Sequence, residues 1–141
     1  MTESLFRKVD CVRLYVSDLE AGLAFYRDQL GHPLIWRTEQ EAGLRIPGCD
    51  AELVLQTERA GLEVDITVKS ADEAALRWQA LGGKVLAGPF DIPIGRCVVV
   101  QDPWGNGSAD HCSLVLLDNS KGLLVTDEEG NVIGNEPVSD E

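Results

Sequence analysis

Histidine is the scarcest residue of catalytic use in this chain, with only His32 and His111 present. An iron centre of two histidines and one carboxylate would need both to converge with an acid. His32 sits in the helix-stopping sequence Gly31-His32-Pro33 and His111 in a polar loop, so neither lies on a strand and that centre is disfavoured. The four cysteines (Cys11, Cys49, Cys97 and Cys112) form no C-x-x-C pair and no secreted disulfide framework. Reduced thiols in a cytoplasm are the expectation. No apolar run approaches the length of a membrane span, and Met1–Lys8 lacks the apolar core of an export signal. Basic residues are also few, 12 Lys and Arg against 24 Asp and Glu, and the net charge of −12 argues against nucleic-acid or anionic-membrane partners. Half of that charge falls in residues 127–141, read as a solvated acidic tail. No glycine-rich phosphate loop and no Gly-x-Ser-x-Gly elbow occur.

What is present is a repeated programme. Val9–Val16 alternates, with Val12, Leu14 and Val16 on one face and Cys11, Arg13 and Tyr15 on the other, as a half-buried strand does. Ser17-x-x-Glu20 reads as a capping box, and Leu19, Leu23, Tyr26 and Leu30 recur as one stripe of a helix that Gly31 and Pro33 end. Short strands are predicted at 34–37, 43–47 and 52–56, with Trp36 sharing a strand face with Leu34. The sequence then restarts. Val64, Ile66 and Val68 alternate with Glu63, Asp65 and Thr67, and Ser70-x-x-Glu73 is a second capping box. Ala71, Ala74, Ala75, Trp78 and Leu81 form a second stripe, and strands follow at 84–87, 96–101 and 114–117. Val12–Leu34 superposes on Val64–Leu86 at an offset of 52 residues. The fold class is therefore α+β: two tandem βαβββ modules, about 8–57 and 62–118, forming an open curved mixed sheet within one domain, 8–118. Residues 119–141 add a C-terminal hairpin and the acidic tail. Each module has one helix, which covers one sheet face. The uncovered faces must meet a second copy, a ligand or another sheet, so a homodimer is expected.

The stretch Gly88–Asn106 is a Gly-Pro turn, a β-branched strand and an Asp102-Pro103-Trp104-Gly105-Asn106 turn. This order, with the duplicated unit, resembles the vicinal-oxygen-chelate superfamily of glyoxalase I, bleomycin-resistance proteins and extradiol dioxygenases. The resemblance covers roughly residues 8–118. It implies ligand positions, in metal-dependent members, on the first, fourth, fifth and last strands. Matched by spacing, these fall on Cys11, Val54, Glu63 and either Ala109 or Val115, the latter if 107–112 is an insertion. Only Glu63 and, less well, Cys11 can bind a metal. No metal and no other cofactor are therefore expected.

Alternation places Cys11, Arg13, Tyr15, Glu52, Val54, Gln56, Glu63 and Asp65 on the trough face, with Trp36 and Trp104 as rim aromatics. So polar a face is wetted, internally paired or occupied. Arg13 paired to these acids at a dimer interface is one reading, and a ligand groove is the other. Cys11 beside Arg13 is a candidate nucleophile or a buried inert thiol. Glu63 and Asp65, two residues apart on one face and about 7 Å apart by the strand rise, are a candidate general-base pair. A zinc site from Cys11, Asp110, His111 and Cys112 has no familiar ligand spacing. The first functional expectation is a metal-free small-molecule binder of bleomycin-resistance type, holding a small, cationic, aromatic ligand between acids and aromatics. The alternative is a glyoxalase-like lyase or epimerase with Glu63 as ligand or base, the only residue to which catalysis is assigned.

Overall fold

Alternating β-branched residues make β1 (Lys8–Tyr15) and β5 (Leu62–Thr67) natural strands, and the two pair antiparallel as the seam between the modules. The computed structural model describes residues 3–108 and 112–136. On one side of the seam lie β2 (Leu34–Arg37), β3 (Glu41–Arg45) and β4 (Glu52–Gln56), and on the other β6 (Lys84–Ile92), β7 (Gly95–Gln101) and β8 (Cys112–Leu117). The eight form one sheet in the order β2-β3-β4-β1-β5-β8-β7-β6. Two pairs are parallel, β1 with β4 and β5 with β8, one per module, and the others are antiparallel. The duplicated βαβββ architecture read from the sequence is thus the observed one.

Both helices begin at side-chain caps. Ser70 accepts from the Glu73 amide at 3.2 Å and starts α2 (Ala71–Ala80), as the second capping box predicts. The first box does not form as written. Asp18, not Ser17, caps α1 (Leu19–Leu23), accepting from the Ala21 amide at 2.8 Å. After Leu23 the chain widens into a π-helical stretch, Ala24–Gln29. The wider turn takes Leu30 off the apolar stripe, and Leu30 ends half exposed. Leu81, at the C-cap of α2, also faces water. The helix-covered face holds two cores. Leu19, Leu23, Ala42, Leu44 and Leu55 pack in the first module, and Val68, Ala74, Ala75, Val98, Val100 and Leu116 in the second.

The opposite face is not bare, contrary to the expectation of an open trough. The C-terminal hairpin, β9 (Leu123–Thr126) and β10 (Val132–Glu136), lies over the first module. Its Leu124 and Val132 pack on Cys11, Trp36 and Val54, and the Arg37 amide donates to the Gly130 carbonyl at 2.6 Å. Burial of apolar surface on both sides holds it there. In the second module Ile92, at the end of β6, and Ile94, in the β6–β7 turn, pack on Cys97, Val115 and Leu117. Part of the sheet face whose lack of a helix led to the expectation of a dimer is therefore covered within one chain.

Two irregularities re-aim side chains. In β2–β3 the register shifts between Leu34 and Trp36, which sends Leu34 to the helix side and Trp36 to the trough side. The sequence expectation that they share a face fails for that reason. In β1–β5 the shift falls between Val9 and Cys11, at Asp10.

Trp36 lies flat against Gly43, where a Cβ would overlap its indole ring. Gly43→Ala should lower stability by about 1–3 kcal/mol through overpacking, read as a lower urea midpoint. An unchanged midpoint would mean that Trp36 does not pack on Gly43.

Candidate functional site

The sheet register lays the trough residues out in rows. Gly43, Val54, Arg13, Glu63 and Ser113 face one another across five strands, and Arg45, Glu52, Cys11, Asp65 and Val115 form the next row. The sequence places six of these ten in the trough by alternation alone. The seam β1–β5 carries the chemistry, because it sets Arg13 opposite Glu63 and Cys11 opposite Asp65.

Arg13 is fully engaged. Its guanidinium forms a close ion pair with Glu41 and a second with Glu63 at 3.3 Å. Glu63 also meets Arg59 at 3.1 Å, but Arg59 is largely in water and adds little. Glu41 was missed by sequence reasoning, which began its strand at Gly43. The period-2 pattern extended back from Gly43 would have placed it on the trough face. The ion pairs are internal to the chain, so a dimer interface is not needed to satisfy Arg13.

Asp65 is buried, at 6% exposure, and one of its carboxyl oxygens has no ordinary donor. Burial, and then its hydrogen bond and repulsion with Glu63, push its pKa up to about 9. The shift favours the protonated acid at neutral pH. Its other oxygen accepts from the Cys11 thiol at 3.4 Å. Burial, and then the Asp65 and Asp10 carboxyls, push the Cys11 pKa far above the thiol range. Cys11 is the buried inert thiol of the two readings, and its closeness to Arg13 does not activate it. Asp10 joins this group because the irregularity in β1 turns it toward Asp65. The three donor atoms lie within 4.8 Å of one another. Plain alternation hides Asp10 on the other face.

The remaining expected residues are less available to a ligand. Gln56 staples its own loop, accepting from the Glu58 and Arg59 amides at 2.8 and 2.9 Å and donating to the Arg59 carbonyl. Trp36, 9% exposed beneath the hairpin, donates from its indole nitrogen to Glu52 at 2.7 Å. Val54 is fully buried in the same cluster. Tyr15 stands 44% exposed at the open end of β1. Trp104 is 84% exposed on the turn after β7, which Asp102 fastens through the Trp104 and Asn106 amides. It lies three strands from β1, about 14 Å by the strand spacing. The structure does not bring it to the Arg13 strip. Ala109, Asp110 and His111 lie outside the described residues, while His32 bonds the Arg45 backbone at 3.1 Å and stays at the helix end.

Residues 8–108 match the family profile described as Glyoxalase/Bleomycin resistance protein/Dioxygenase superfamily. The chain belongs to this superfamily. No curated protein matches its sequence. Solved structures similar to it include methylmalonyl-CoA epimerase from Mycobacterium tuberculosis, at 20% identity and a TM-score of 0.63, covering 84% of this chain and 91% of that one. A chain described as an NAD-dependent benzaldehyde dehydrogenase from Legionella pneumophila gives 20% and 0.62, with 77% and 97% covered. A variant of homoprotocatechuate 2,3-dioxygenase from Brevibacterium fuscum gives 24% and 0.60. There 81% of this chain covers only 33% of the dioxygenase. At these identities the likeness is one of fold.

The metal centre that the superfamily implies does not fit the residues at its positions. Val54 has no donor atom, and neither Ala109 nor Val115 supplies one at the last position; Val54 and Val115 are packed in apolar clusters, and Glu63 is held by Arg13 and Arg59. The nearby Asp10, Cys11 and Asp65 cluster is a poor substitute. A cation would have to displace the protons that burial keeps on Asp65 and Cys11.

Protein purified without chelators should accordingly hold well under one zinc, nickel or iron per chain by elemental analysis. A stoichiometric metal lost on Glu63→Gln would show that the family centre forms after all. The protonated Asp65 gives a second expectation. Its folded-state pKa is raised, so its contribution to stability is complete below the unfolded value of about 4 and is lost as pH rises toward about 9. The melting temperature should fall over that range. Asp65→Asn, which keeps the shape without the charge, should flatten the fall and melt about 3 °C or more higher at alkaline pH. Parallel pH profiles for the two proteins would contradict it.

Proposed function

We propose that the chain is a small-molecule-binding member of its superfamily, working without a metal in the manner of the bleomycin-resistance proteins. The ligand class is a small planar cation, held along the strip formed by Tyr15, Arg13, Glu41 and Glu63. One observation carries the reading. Arg13 is engaged by Glu41 and Glu63, and Arg59 by Glu63, so the strip offers an anionic substrate no unpaired cation. Tyr15 supplies an exposed ring for the ligand's flat face, where a cation–π contact contributes about 0.5–2 kcal/mol. This role passes to Tyr15 from Trp36, which is buried, and from Trp104, which is distant. The glyoxalase-like alternative needs Glu63 free to take a proton or hold a metal, and its two arginine partners oppose that. Homodimerisation stays part of the proposal.

Calorimetric titration with a planar cationic dye, beside a neutral dye of the same shape, tests it. The cation should bind saturably and more weakly as salt rises. Combining Glu41→Gln with Glu63→Gln should weaken it about tenfold, while removing residues 137–141 leaves it unchanged. Binding abolished by removing the tail alone would mean nonspecific attraction to a polyanion. Tighter binding of an anionic thiol conjugate would turn the assignment toward the glyoxalase-like reading.

A further inference from the structure

The few cations of this acidic chain are not spread evenly. Two adjoining cavities of about 570 Å³ each lie where β1 begins and where β5 and β8 end, and they share Arg7 and Lys69. One is lined by Arg7, Lys8 and Lys69 together with Thr67, Asn119 and Ser120, and no carboxylate lines it. In a chain with twice as many acidic as basic residues, this is the reverse of the background. None of the three cations forms an ion pair within 4 Å among the described residues.

The frame around them is fixed by backbone. Lys8 faces Thr67 in the β1–β5 ladder, and the Arg7 amide donates to the Thr67 carbonyl at 2.9 Å. The Val68 amide donates to the Leu117 carbonyl at 2.8 Å. Asp118, the buried acid next to Asn119 in the chain, is used up as a tie between elements. It accepts from the amides of Ala71, Arg96 and Ser120 at 2.9, 3.0 and 3.2 Å. The second cavity is of mixed character. It contains Glu3 and Glu73, Arg77 donating to the Glu3 carbonyl at 2.7 Å, and apolar surface from Leu5 and Ala74.

From this juxtaposition we propose that the groove is a second binding site, separate from the trough strip, for a small phosphate-bearing molecule. The phosphoryl group sits among Arg7, Lys8 and Lys69, and the organic remainder lies in the adjoining cavity beside Leu5 and Ala74. Arg7, Lys8 and Lys69 lining one groove beside Asn119 and Ser120 suit a multiply charged oxyanion, which accepts several charge-assisted hydrogen bonds at once. Each cavity is within the usual size of a small-molecule site.

The test is an amide NMR titration of the whole chain with pyrophosphate, beside sulfate at matched ionic strength. Saturable shifts should be confined to residues 7–8, 67–69 and 119–120 and should exceed those with sulfate. Combining Arg7→Gln with Lys69→Gln should weaken binding about tenfold, and Lys8→Gln alone should weaken it by less. These side chains face water, and an unchanged amide spectrum of each variant confirms that it folds. Glu63→Gln in the trough should leave pyrophosphate binding as it was, so this site and the trough reading stand or fall separately. Shifts scattered over all the lysines, equal shifts with sulfate, or binding untouched by the double substitution would each overturn the proposal.

Discussion

The antiparallel pairing of β1 with β5 is the constraint on which the rest of this molecule depends. It joins the two modules edge to edge and sets Arg13 against Glu63 and Cys11 against Asp65. Each pairing brings together groups that would be costly to bury alone. Arg13 is compensated by two carboxylates, and Asp65 stays neutral by keeping its proton. The seam is thus a polar spine flanked by the apolar Trp36 cluster on one side and the Cys97 cluster on the other.

This arrangement keeps the Glu63 carboxylate occupied by its arginine partners. Of the positions that the resemblance implies for ligands, Val54 and either Ala109 or Val115 carry no donor atom, and the Glu63 carboxylate is an ion-pair partner. The scaffold leaves other uses open at the seam's two ends. Around Arg13 the charges are paired off with Glu41 and Glu63, while the groove at the start of β1 is lined by Arg7, Lys8 and Lys69 and by no carboxylate.

Most of the fold was legible because it rests on periodicity. Val12, Leu14 and Val16 against Val64, Ile66 and Val68 identified both seam strands and the duplication, and Ser70 with Glu73 marked the start of α2. The site was legible where alternation is unbroken, as for Arg13, Glu63 and Asp65. It failed where the backbone departs from period 2 or where distant segments decide the packing. Asp10 and Trp36 lie at register shifts that no residue pattern announces. Gln56 reads as a trough residue, yet its amide is spent on the Glu58–Arg59 turn. The hairpin was visible as a hairpin, but its docking over Cys11 and Trp36 is tertiary and leaves no local signature.

The proton on Asp65 is the most direct point of attack on this account. Infrared difference spectroscopy between wild-type protein and Asp65→Asn at neutral pH reads it without ligand or activity. The account predicts a protonated-carboxyl C=O band in the wild type that is missing from the variant and disappears as pH is raised past about 9. A wild-type spectrum with only ionised carboxylate bands, or a protonated band that survives Asp65→Asn, would contradict it.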